Sequence, residues 1–164
     1  MVGTEAFLAL TAHLAREIAC LESLESLLTL EQRALRRLEA TTLIELAERR
    51  SRVVETHLHL ARERGVVLGA CVPGAAPGHL SALFPHLEPD QKATLVTCQA
   101  TLGDLVRRVH SLQAMNEAYA RTGHQTVDQA LTRLTRRRAG AESTYGANGR
   151  VATRPSAFAV REQG

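Results

Sequence analysis

The sequence predicts an all-α protein: an elongated antiparallel bundle of two to three long helices, coiled-coil-like, followed by a flexible C-terminal tail. Three observations predict it. Apolar residues fill 45% of the 164 positions, yet aromatics supply only 3% and tryptophan none, so the core-forming mass is leucine, alanine and valine. That mix suits helices meeting along leucine seams and lacks the aromatic and β-branched residues that packed strands need. Apolar residues recur at seven-residue intervals in both halves of the chain, and four of the 5 prolines gather between residues 65 and 90.

The first helix is expected from Thr4 to about Leu38. Phe7, Leu14, Leu21, Leu28 and Leu35 repeat every seventh residue, and Leu10, Leu24 and Leu38 form a second line three residues on. Together these are the a and d positions of a lengthwise-packed helix. Glu17 and Glu31 interrupt the second line, which argues against a simple dimeric zipper. Ile18 and Leu27 widen the stripe, as on a helix that touches two neighbours. Thr41-Thr42 then interrupt the run, and Thr42 with Glu45 has capping-box spacing. A break or kink there leads into a second helix, 43–64, with Leu43, Leu46, Val53, Val54, Leu58 and Leu60 as its apolar face. The threonines alone leave open a single continuous helix.

Gly65 is read as the stop of that helix, followed by a Gly/Pro-rich loop over 65–89 with room for a helical turn at His79–Phe84. Glu88-Pro89-Asp90-Gln91 opens the last helix, because proline suits a first turn and acidic residues suit an N-terminus. It runs over about 90–138, roughly 75 Å at ~1.5 Å per residue. Leu95, Leu102, Val109 and Asn116 lie on one line; Cys98, Leu105, Leu112 and Tyr119 lie on the other. The pattern fades through Ala120–Gln125 and returns at Val127, Leu131 and Leu134. This half is too sparse for a firm core, and marginal helices of this kind suit partner binding. The expected division is a helical domain, 1–138, and a tail, 139–164.

Few chemistries survive inspection. The net charge is +3, and only Arg136 to Arg138 form a basic run, which complements a helix C-terminus; no aromatic platforms accompany it, so no nucleic-acid partner is expected. Cys20, Cys71 and Cys98 are an odd set without C-x-x-C spacing, and Cys20 and Cys98 fall on helices as small hydrophobes. No basic-then-apolar leader and no run of ~20 apolar residues occurs, so a soluble cytoplasmic protein without stable membrane insertion is expected. His57 and His59 point to different helix faces, and His79 and His86 lack acidic or thiol neighbours at ligand spacing. Neither a metal, a cofactor nor a catalytic constellation is expected. Asn116 stands out as an amide on a seam, a position that sets register or shapes a groove.

The polar segment Thr144-Tyr145-Gly146-Ala147-Asn148-Gly149-Arg150 follows the last helix. Its glycines and Asn-Gly pair favour tight turns, yet no periodic element follows for a turn to connect. A defined turn carrying a tyrosine outside any core reads as a short docking element, with a frayed tail holding chance glycines as the alternative that the segment by itself favours.

Along nearly its whole length the chain resembles the FlgN family of flagellar export chaperones. The order is a long leucine-rich helix with a break, a helix ending in an R-x-x-G-like stop (Ala61-Arg62-Glu63-Arg64-Gly65), a variable loop and a long final helix. Leu112-Gln113-Ala114-Met115-Asn116 matches the family's L-N-x-x-N with glutamine in place of the first asparagine. Tyr145-Gly146-Ala147-Asn148-Gly149-Arg150 matches its Y-G-x-[DN]-G-[RQ] tail in full. The resemblance implies a non-enzymatic cytoplasmic chaperone of flagellar type III export. It would bind the C-terminal helical ends of hook–filament junction proteins like FlgK and FlgL and keep them unpolymerised. Leu112, Asn116, Tyr119, Val127, Leu131 and Leu134 would take the substrate. Tyr145, with Gly146, Gly149 and Arg150, would dock the cytoplasmic domain of an FlhA-like export-gate protein. The competing readings are a structural coiled-coil adaptor that homodimerises through the Phe7–Leu38 seam, and a nucleic-acid binder acting through Arg136–Arg138.

Overall fold

A computed structural model of the chain describes residues 2–71 and 80–141, the side chains of 137–141 excepted. Its elements are α1 (Thr4–Arg37), α2 (Ala40–Cys71), a 3-10 helix (Leu80–His86) and α3 (Pro89–Ala141), with no strand among the described residues. The fold is therefore all-α. By its contacts the chain divides into two units, Met1–Ala120 and Arg121–Gly164.

Within the first unit α1 is the central element. Side-chain bonds join Glu31 to Arg50, Cys20 to Val53, Glu17 to Arg64 and Ala6 to Cys71, so α2 runs antiparallel to α1. Pairs Glu25–Arg108, Gln32–Met115 and Arg36–Tyr119 all keep a separation of 83 residues, so α3 runs parallel to α1. The largest core cluster gathers Phe7, Leu10, Leu14 and Leu21 of α1, Leu68 and Cys71 of α2, Leu80 and Leu83 of the 3-10 helix, and Leu95, Leu102 and Leu105 of α3. Leu24 and Leu28 meet Val109, while Leu27 and Ala34 meet Leu46. The widened stripe on α1 thus covers two neighbours, as Ile18 and Leu27 suggested.

The break between α1 and α2 lies at Leu38-Glu39, not at Thr41-Thr42. Leu38 adopts the left-handed conformation (φ 57°, ψ 37°), its N–H donates to Leu35 O, and the Glu39 N–H reaches back to Ala34 O at 3.0 Å. Those two bonds are a Schellman stop, which satisfies carbonyls that the last turn would otherwise leave open. Thr42 sits inside α2 rather than capping it. The two helices are separate and antiparallel, which settles the question of a single continuous helix.

Gly65 does not end α2, which continues to Cys71. The reason is burial: Leu68 is 1% exposed and Cys71 lies in the core beyond it. Fully burying a leucine contributes roughly 1.5–3 kcal/mol, more than the ~1 kcal/mol cost of a helical glycine. The loop expected over 65–89 is accordingly helical at both ends. Val54 and Leu58 do not belong to the buried face of α2; Leu58 is 52% exposed. α3 begins at Pro89 as expected, and Gln91 Oε1 accepts the Glu88 N–H at 3.2 Å, one half of a capping box.

Candidate functional site

The seam glutamates of α1 are not defects in a zipper but the acceptors of two buried polar belts. Glu17 is fully buried; its Oε2 accepts from Arg64 Nη1 at 2.7 Å, and its Oε1 lies 3.0 Å from His13 Nε2. His13 Nε2 also lies 2.9 Å from Leu60 O, and its Nδ1 lies 3.0 Å from Arg16 Nη2. Two acceptors at Nε2 and a cationic donor at Nδ1 fix the neutral, Nε2-protonated tautomer. About four turns along α1, Glu31 Oε2 accepts from Arg50 Nη1 and from Asn116 Nδ2, both at 3.1 Å. Asn116 Nδ2 also donates to Leu28 O at 2.8 Å. A one-residue slip of any helix would strand these groups without partners, so the belts define the register.

This geometry divides the six substrate candidates into two sets. Leu112 packs on Leu24, Leu28 and Val109. Asn116 is 4% exposed and bonded to α1 as above. Tyr119 accepts a hydrogen bond from Arg36 Nη2 at 2.9 Å, and the same guanidinium lies 5.0 Å from its ring centroid. These three are held by α1 within the first unit. Val127, Leu131 and Leu134 lie in the second unit at 48%, 56% and 62% exposure. Their i, i+4, i+7 spacing aligns them on one side of α3. Polar residues around them bond along the helix: Thr126 and Thr135 donate to Thr122 O and Leu131 O, and His124 stands 2.9 Å from Asp128. Tyr145, Gly146, Gly149 and Arg150 lie outside the described residues.

Sequence reasoning missed Gln32, Arg36 and Arg50, which hold Met115, Tyr119 and Glu31. The available signal was Glu31 at a seam position, since a buried carboxylate demands donors from facing helices. Burial raises the thiols of Cys20 and Cys71 above their ordinary value, and Glu17 adds to the effect at Cys20, so neither is poised for nucleophilic chemistry. The Arg108 guanidinium is held above its ordinary value first by its hydrogen bond to Glu25. Among the described residues, no group of three His, Cys, Asp or Glu side chains could hold a metal, and no helix is long and apolar enough to cross a membrane.

Compared with known proteins, residues 1–153 match the family model of the FlgN protein. No curated protein and no solved structure matches the chain.

Proposed function

Because the chain belongs to the FlgN family of flagellar export chaperones, we propose that it binds C-terminal helical segments of hook–filament junction proteins like FlgK and FlgL. In this reading it works in the cytoplasm, without catalysis, keeps its substrates from assembling early, and hands them to the export gate. The observation that carries the reading is the line Val127, Leu131 and Leu134, three large apolar side chains left exposed on one side of a helix. A lone amphipathic helix gains most of its stability by burying such a face, and an unassembled junction subunit presents a complementary one. The line is short, which suits a substrate that must be released again. Leu112, Asn116 and Tyr119 act in this reading by anchoring α3 to α1 rather than by touching substrate. Residues 1–138 serve in this reading as the chaperone domain and 139–164 as the tail, whose first residues still belong to α3, which runs to Ala141 rather than stopping at 138.

The test is a pull-down of the full chain with the C-terminal segment of a junction protein. Leu131→Asp combined with Leu134→Asp should weaken capture at least about tenfold while helix content is kept; two charges in place of leucines that the bound substrate would cover cost more than the 1.4 kcal/mol that a tenfold change represents. Unchanged capture would remove the assignment. We further propose that Tyr145, with Gly146, Gly149 and Arg150, docks an FlhA-like cytoplasmic domain, on the strength of the tail motif. Tyr145→Ala should impair export yet leave substrate capture intact, and loss of capture would count against that role. The adaptor alternative is disfavoured because most of its dimer face, the seam from Phe7 to Leu28, is covered by other helices of the same chain.

A further inference from the structure

We draw no further inference here: the strongest candidate, the exposed apolar patch of Ile44, Val54 and Leu58 on the outer flank of α2, carries nothing because nothing in the structure shows what covers it.

Discussion

Removing Arg64 while keeping its volume is the sharpest probe of how this bundle is held. Glu17 has a side chain 1% exposed, with Arg64 on one oxygen and neutral His13 on the other. Arg64→Met preserves the apolar stem and deletes the cation, leaving a buried carboxylate with a single neutral donor. Breaking one side of a buried pair costs about 3–5 kcal/mol, because the remaining charge stays desolvated. The Arg64 side chain is 27% exposed, so water can reach the vacated position and the lower end, about 3 kcal/mol, is expected. With a urea slope of about 2 kcal/mol/M, the unfolding midpoint should fall by about 1.5 M.

The double variant Glu17→Leu with Arg64→Met supplies the control. It removes both charges together, and His13 keeps Leu60 O as acceptor for its Nε2–H. Replacing a buried pair by apolar residues is often neutral or stabilising by about 1–4 kcal/mol, so the double variant should unfold near or above the wild type. Urea titration followed by far-UV circular dichroism measures all of them, with an unchanged slope as the sign of an intact two-state unit. A midpoint loss below about 0.3 M for Arg64→Met would reduce the pair to an ordinary surface contact. A double variant no better than the single one would refute the desolvation argument itself.

Other outcomes follow from single positions. Leu38 holds φ 57° while 67% exposed, so it has strain to lose and little burial. Leu38→Gly should therefore raise stability by about 0.5–1 kcal/mol, read as a higher urea midpoint; a drop would mean that the Schellman stop is not what terminates α1. The raised thiols of Cys20 and Cys71 give stability that is whole below the ordinary value of 9.0 and is lost as pH climbs toward their folded values, since the unfolded thiols ionise first. Comparing urea midpoints at about pH 7.5 and about pH 10 should show a larger fall in the wild type than in Cys20→Ala with Cys71→Ala, and equal falls would contradict it.

Much of this architecture was legible because leucine periodicity reports directly on burial. The a and d lines of α1 named Phe7, Leu10, Leu14, Leu21, Leu24 and Leu28, all of them buried, whereas Leu35 is only half-buried and Leu38, past the end of the helix, is exposed. Pro89 marked the start of α3 for a local reason, its fixed φ and missing N–H. The failures had equally physical causes. The stop of α1 was hidden because its left-handed position holds leucine where glycine is the usual signal. Gly65 misled because propensity is a weak force beside the burial of Leu68 and Cys71, which lie later in the chain. Asn116, Glu31 and Arg50 come from three different helices, so no reading of one helix at a time would assemble them. For the candidate site, spacing found the line at Val127, Leu131 and Leu134, but exposure separated it from Leu112 and Asn116, which share the same helix and similar periodicity.

The constant register between α1 and α3 ties these observations together. Glu25–Arg108, Gln32–Met115 and Arg36–Tyr119 share one separation, and the same separation places Ala120 opposite Arg37, the last residue of α1. Ala120 is also where the first unit ends. The length of α1 therefore decides how far along α3 a covering helix is available, and the Schellman stop at Leu38 decides the length of α1. Changing that stop, for instance by Leu38→Ala with Glu39→Ala to favour continued helix, should perturb α3 first at Tyr119, whose partner Arg36 belongs to the altered turn. Hydrogen exchange along α3 would locate the change. Protection lost around Asn116–Ala120, with Leu95–Leu105 unaffected, is the expected pattern, and uniform loss along the helix would show that register and stop are not coupled in this way.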